Sequence, residues 1–152
     1  MTAEHAPAGI AMAVFDRNGQ RVAPPAELTR IIDPEDVVAA SDGQTVSQRV
    51  AALASKIKHA PAIGIRFGKF TDGRSYSVAA RLRESGFAGD LHALGEINQE
   101  VVFLLKRVGF THFHIPDPGY PQLPDTILKP FGGHYQAGSD GSRAPWQTAV
   151  SA

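Results

Sequence analysis

The hydrophobic pattern is most regular between residues 62 and 116, where short apolar runs alternate with stripes at helical spacing. The runs have the length of strands and lie at 62–67, 90–94 and 111–115. Between them, apolar side chains recur every three or four positions in the segments 75–85 and 98–108. Strands that alternate with single helices predict strand–helix–strand units and a parallel sheet.

The two predicted helices end in the same way. Gly86-Phe87 closes the first and Gly109-Phe110 closes the second, and a strand follows each pair. Glycine at a helix end favours a left-handed cap, and the apolar residue after it folds back on the helix. The expected fold class is therefore α/β: a small single domain with a parallel sheet built from successive strand–helix–strand units joined by right-handed crossovers.

The flanking segments add weaker signals. A strand is predicted over 10–15. After a turn at Asn18-Gly19, residues 20–23 are predicted to pair with it as the second strand of a hairpin. Asp33 before Pro34 predicts a helix start. Thr45 with Gln48 matches a capping box that opens a second amphipathic helix. We expect the N-terminal strand or a second subunit to widen the three-stranded sheet, and a symmetric homo-oligomer is predicted.

The last part of the chain is rich in proline, and then in glycine, serine and alanine. One helical turn is predicted over 125–129, and a last strand over 131–136. The expected organisation is one domain over 1–137 with its core at 62–116, followed by a flexible tail over 138–152.

The composition excludes several classes of function but indicates none directly. The chain has 152 residues, a formal net charge of zero and no cysteine. Thiol chemistry and thiolate metal sites are thereby excluded. There is no basic stripe for nucleic acid, no apolar run long enough for a membrane span, and no signal-peptide pattern, so a cytoplasmic location is expected. Glycine-rich nucleotide fingerprints are missing, and no cofactor is predicted.

The best candidate for binding chemistry is the loop after the first parallel strand. Ligands of open α/β sheets bind beyond the carboxyl ends of the strands, and this loop also opens a helix whose free N–H groups suit an oxyanion. The candidate anion- or partner-binding residues are Lys69, Thr71, Asp72, Gly73, Arg74, Ser75, Ser77 and, from the next loop, Glu96. The alternative is ordinary helix capping with a solvated arginine. No catalytic residues are predicted.

A second candidate is the pair His112 and His114. Alternate residues of a strand share a face, so both imidazoles are placed to approach one metal, with Asp117 or His134 as a further ligand. The alternative is a strand with two partly exposed histidines opposite buried Phe113 and Ile115. Two histidines without a fixed third ligand are weak evidence, and no metal is predicted.

Several segments carry a family resemblance. KFTDGRSYSVAARLRESGFAGDLHALGEI at 69–97, EVVFLLKRVGFTHF at 100–113 and HYQAGSD at 134–140 resemble the bacterial domain-of-unknown-function family numbered 934. The resemblance implies a setting in assimilatory sulfate and sulfite reduction, and some members carry the label of an oxidoreductase of sulfite reduction. Members often have a cysteine where this chain has Val108, so chemistry by that thiol is not expected here.

Two functions follow as expectations. The first is an accessory or interaction protein of assimilatory sulfate and sulfite reduction, with sulfite reductase or another enzyme of sulfate assimilation as its partner. The second is a small oxyanion-binding enzyme or sensor with its site at the 69–77 loop.

Overall fold

The computed structural model of the protein describes residues 11–38, 43–68 and 73–130. The strands within these ranges are β1 (Met12–Asp16), β2 (Arg21–Val22), β3 (Arg30–Ile32), β4 (Ala62–Phe67), β5 (Asp90–Gly95) and β6 (His112–Pro116). They form one sheet in the order β2-β1-β6-β5-β4-β3. The helices are α1 (Pro34–Val38), α2 (Val46–Ile57), α3 (Gly73–Glu84), α4 (Val102–Arg107), which follows a 3₁₀ turn at Gln99–Val101, and α5 (Asp125–Leu128). No helix within the ranges above is long and apolar enough to cross a membrane.

The predicted parallel sheet is confirmed at its centre. β4 pairs in parallel with β5, and β5 pairs in parallel with β6, so the three strands are neighbours in their chain order. α3 connects the first pair and α4 connects the second. The alternation of apolar runs and helical stripes was therefore sufficient to predict both the strands and their direction.

The two Gly-Phe helix ends have the same geometry. Gly86 has a φ of 98° and Gly109 a φ of 107°, values in the left-handed region that glycine adopts readily. Phe87 and Phe110 each donate their N–H to the carbonyl five residues earlier, at 3.1 Å in both cases. This bond and the buried phenylalanine turn each helix end into the following strand.

Arg83 joins these two helix ends to each other. Its Nε and Nη2 donate to the carbonyl of Gly109 at 3.0 and 2.7 Å. Its Nη1 donates to the carbonyls of Phe87 and Gly89 at 2.9 and 2.8 Å. One half-buried guanidinium therefore satisfies carbonyls from both strand–helix–strand units and fixes their relative position.

The sheet is widened on both sides by this chain's own strands. β1 pairs antiparallel with β6, and β2 returns alongside β1 after a turn in which Gly19 has a φ of 77°. These observations confirm the N-terminal strand and the hairpin. On the other side, β3 pairs in parallel with β4, a strand that the sequence pattern did not predict. The homo-oligomer stays a prediction.

The helices and the sheet enclose one hydrophobic core. The largest fully buried side chains include Phe15, Phe67, Phe110 and Phe113. Crossovers between parallel strands are almost always right-handed, and three such crossovers in one direction place their helices on the same face of the sheet. The contacts of α1 and α2 with α3 agree with this arrangement. The opposite face carries Gly64 and Leu94, on which Leu28 packs, and the histidines described below.

Two helix starts differ in how they are held. Thr45 and Gln48 form the predicted capping box, with hydrogen bonds of 3.1 and 2.8 Å. At the start of α1, the Asp33 carboxylate instead accepts two hydrogen bonds from Arg66 Nη1, both at 2.9 Å. The predicted strand over 131–136 and the predicted tail over 138–152 lie outside the described residues.

Candidate functional site

The carboxyl ends of β4 and β5 lie side by side. Phe67, the last residue of β4, pairs with Gly95, the last residue of β5. The carbonyl of Phe67 also accepts the N–H of Glu96 at 3.1 Å, which holds the second loop against the end of the first strand. The two loops singled out from the sequence therefore start at the same place in the fold.

Gly95 permits this close approach. Its φ is 99°, and a Cβ on it would lie 2.2 Å from the carbonyl oxygen of Phe67. Any larger residue would therefore push the two strand ends apart. The position of Glu96 depends on this glycine, which the sequence analysis did not single out.

Four of the predicted site residues are exposed at this edge. Gly73 opens α3, and a Cβ built on it would have no atom of another described part of the chain within 4 Å. Arg74 and Ser77 follow on the same helix, and Glu96 lies on the neighbouring loop. We call Gly73, Arg74, Ser77 and Glu96 the carboxyl-edge surface. It carries a cation, a hydroxyl and a carboxylate, groups that suit polar recognition of a partner or a small anion.

Arg74 has a neighbour in α1. Its Nη2 lies 3.7 Å from Glu35 Oε1, and the two side chains are 43% and 73% exposed. Such an exposed ion pair contributes little to stability. The remaining predicted residues of this loop, Lys69, Thr71 and Asp72, lie outside the described ranges.

Ser75 has a structural contact. The residue is fully buried, and its hydroxyl donates to the carbonyl of Arg66 at 2.9 Å. This hydrogen bond holds the first turn of α3 against β4. The hydroxyl proton is therefore engaged within the fold, which leaves Ser77 as the exposed hydroxyl of the described part of the loop.

A second group of polar side chains lies on the sheet face opposite Phe113 and Ile115. His92 of β5 and His112 and His114 of β6 share this face, because His92 pairs with His112 in the parallel register. The rings of His92 and His112 are stacked, with centroids 4.3 Å apart and planes 7° apart. His92 Nδ1 and His114 Nε2 are 2.8 Å apart and share a hydrogen bond. We call these three residues the histidine cluster.

Within the histidine cluster, His92 resists protonation. His92 is 3% exposed, and burial together with the nearby His112 and His114 lowers the pKa of His92 from its ordinary value of 6.5 to about 3. A hydrogen bond between two imidazole nitrogens also requires a lone pair on one of them, so at least one ring of that pair is neutral. His92 is thus a neutral imidazole in the interior of the protein at ordinary pH.

His112 and His114 share one face of β6, as predicted, but His114 is more deeply buried than expected. Phe113 and Ile115 are buried opposite them, while His114 is 5% exposed rather than partly exposed. Asp117, considered as a further ligand, pairs instead with Arg21 at 2.5 and 3.1 Å. That hydrogen bond lowers the pKa of the Asp117 carboxyl.

No group of three or more potential ligands in the described part of the chain is arranged to hold a metal ion. His134, the other ligand considered, lies outside the described residues, so the expectation of no metal stays a prediction. His92 was missed by the sequence analysis. The predicted strands alone do not set it opposite His112, because that pairing depends on the register between β5 and β6.

Comparison with known proteins identifies the family without assigning an activity. Residues 44–146 match the family model described as "Bacterial protein of unknown function (DUF934)". No curated protein and no solved structure matches the chain. The matched range covers both strand–helix–strand units, the described carboxyl-edge surface and the histidine cluster. Since this match spans more than half of the chain, the protein belongs to the DUF934 family of bacterial proteins.

Proposed function

We propose that this protein is an accessory protein of assimilatory sulfate and sulfite reduction that acts by binding a partner. The candidate partner is sulfite reductase or another enzyme of sulfate assimilation. The setting rests on the resemblance carried by residues 69–97 and 100–113. The binding role rests on the chain itself, and the carboxyl-edge surface is its proposed contact.

One observation carries the binding role: two adjacent loops present exposed polar groups of both charges at the edge where α/β sheets bind their ligands. The bond between Glu96 N–H and Phe67 O fixes the second loop, and the bond between Ser75 and Arg66 O fixes the start of α3. Arg74 and Glu96 are thus displayed from anchored backbone. Charged groups displayed in this way favour selection of a complementary partner.

A second candidate function is a small oxyanion-binding enzyme or sensor at the same edge, in line with the oxidoreductase label of some family members. The space around Gly73 favours it, because no side chain of the described residues blocks the approach of an anion to the first N–H groups of α3. The engaged hydroxyl of Ser75 and the carboxylate of Glu35 near Arg74 weigh against it. We therefore place partner binding first.

The test is growth of the native bacterium with sulfate as its sole sulfur source. A strain that lacks the gene is complemented with wild type, with Arg74→Glu/Ser77→Ala, or with Lys129→Glu as a matched charge change at an exposed position elsewhere. Ser75 is left intact because its loss would disturb packing.

We expect wild type and Lys129→Glu to restore growth on sulfate and the double variant to fail, while all strains grow on cysteine. Full growth on sulfate without any copy of the gene would refute the role in sulfur assimilation. Full rescue by a folded double variant would refute the assignment to the carboxyl-edge surface.

A further inference from the structure

The sheet has an unpaired edge at β3. In the sheet order, β3 is the last strand beyond β4, and no strand of the described part of the chain pairs with its outer side. The backbone groups of alternate residues in a strand point to opposite sides. Some of the N–H and C=O groups of Arg30–Ile32 therefore face away from β4 and are available to a further strand.

A groove runs along this edge between β3 and the helices α1 and α2. It encloses about 250 Å³. Val37 of α1 and Ala52 and Leu53 of α2 give it apolar walls, and Ile31 and Ile32 line it from the strand. We call this feature the β3 groove. Its apolar lining suits an aliphatic side chain that projects from a segment paired with β3.

The charged residues of the β3 groove favour an acidic occupant. Arg30 and Lys56 are exposed on its walls, and neither makes an ion pair with another residue in the described ranges. Arg49 adds a third cation, held by the carbonyls of Val37 and of Gln44, the latter at 2.8 Å.

Two carboxylates also line the groove, and within the described ranges one of them has a cation bound to it and the other has none. Asp33 is bound by Arg66 Nη1, which contacts both of its oxygens at 2.9 Å. Asp36 is the carboxylate without a bound cation among the described residues, and the groove holds three cations, Arg30, Arg49 and Lys56. The balance in the β3 groove is therefore positive.

We propose that the β3 groove binds an extended, acidic segment of a partner protein, which adds to β3 as a seventh strand. Main-chain hydrogen bonds to the outward groups of β3 supply the pairing, an aliphatic side chain fills the space against Val37 and Leu53, and carboxylates flank it near Arg30 and Lys56. The surface shares no residue with the carboxyl-edge surface. It goes beyond the proposed function by naming a second contact and the chemistry of its occupant.

Charge also argues against two other occupants. A second copy that paired β3 with β3 would bring two Arg30 side chains and two Lys56 side chains to one seam, where like charges repel. The chain's own segment 131–152 carries one aspartate and one arginine, Asp140 and Arg143, and has no net negative charge to offer.

The test uses the full chain and a short capped peptide of alternating glutamate and valine as the probe. Binding is followed by fluorescence anisotropy and by amide hydrogen exchange. Arg30→Glu/Lys56→Glu is compared with Lys58→Glu, an exposed cation just past the end of α2 that does not line the groove. Two control peptides replace glutamate by lysine or carry N-methyl groups on alternate amides.

The acidic peptide should bind saturably, about tenfold or more weakly to the double variant, and equally to wild type and Lys58→Glu. The lysine peptide and the N-methylated peptide should bind much more weakly than the parent. In the free chain the outward amides of β3 should exchange rapidly, and the acidic peptide should slow them.

Several results would overturn the proposal. These are no saturable binding of the acidic peptide, or equal binding of either control peptide. Slow exchange of the whole of β3 in the free monomer would show that the chain already covers this edge. A wild-type dimer that the double variant loses would show that a second copy occupies it. Each result concerns β3 alone and leaves the test at Arg74 and Ser77 unaffected.

Discussion

The pH dependence of stability provides a direct probe of the histidine cluster. Replacing His92 by Asn removes a titrating ring while keeping a polar atom near the position of Nδ1, which is hydrogen-bonded to His114. The comparison of interest is the dependence of the unfolding free energy on pH rather than its absolute value, because the substitution also changes packing.

The sign and size of the effect follow from the pKa of His92. The pKa of His92 is about 3 in the folded protein, and its ordinary value of 6.5 applies to the unfolded chain. Between about pH 6.5 and pH 3 the unfolded chain therefore binds a proton at His92 that the folded protein does not bind. The contribution of His92 is fully present above 6.5 and is lost as the pH falls, by about 1.4 kcal/mol per pH unit. Between about pH 7 and pH 5 the wild type should therefore lose roughly 2 kcal/mol more than His92→Asn.

Urea unfolding at a series of pH values, followed by circular dichroism, measures this difference. His59→Asn is the matched control, because His59 is an exposed histidine outside the cluster. Its unfolding is measured over the same pH range, and the prediction is that the pH dependence of His92→Asn is the weaker of the two. Equal pH dependence of wild type and His92→Asn would refute the assignment of a buried, neutral His92.

Three further predictions concern the packing around the site and its ligands. Gly95→Ala should lower stability by about 3 kcal/mol or more in thermal unfolding, because the new Cβ meets a main-chain oxygen. Gly73→Ala meets no atom of the described residues and should change stability by less than about 1 kcal/mol. Equal effects of the two substitutions would contradict the close approach at Gly95. Arg83→Met should cost roughly 2–4 kcal/mol by loss of hydrogen bonds to two helix ends, and Lys58→Met should cost almost nothing in the same denaturant titration. Sulfite, sulfate and phosphate should leave the melting temperature unchanged if the carboxyl-edge surface binds a protein, whereas an oxyanion at about 100 times its dissociation constant would add about 2.7 kcal/mol and favour the second function.

The elements predicted correctly are those in which local chemistry and global packing agree. The strand at 62–67 was placed residue for residue, because a run of apolar residues interrupted only by Arg66 is typical of a parallel strand that is largely buried. The Gly-Phe ends were read correctly, because a positive φ at that position strongly favours glycine. The single turn of α5 also lies where a short segment between prolines allowed it.

The elements that were missed depend on contacts between distant residues. β3 has three residues and becomes a strand only because β4 is beside it, so no periodic pattern marks it. The histidine cluster needs the register between β5 and β6, which sets His92 against His112. No sequence pattern marked Arg83, because its four hydrogen bonds reach segments up to 26 positions away.

The sequence predicted which candidate residues lie at the carboxyl edge of the sheet, but only partly which of them are exposed there, and their role as a site stays a prediction. The carboxyl ends of parallel strands follow from the fold, so the placement of Arg74 and Glu96 at one edge followed as well. The side chain of Ser75 was expected to face a ligand, yet it is buried against β4. Helical spacing alone does not predict which serine is buried near a helix start. The direction of the helix axis relative to the sheet determines whether Ser75 or Ser77 faces the sheet.

The most direct test of the proposed function is a calorimetric titration of purified sulfite reductase with this protein. The account predicts saturable binding by wild type and by Lys129→Glu, and binding weakened by about tenfold or more for Arg74→Glu/Ser77→Ala. No binding of the wild type to sulfite reductase or to any other purified enzyme of sulfate assimilation would contradict the proposed role as a binding partner. Binding that is the same for the wild type and the double variant would contradict the carboxyl-edge surface as its contact.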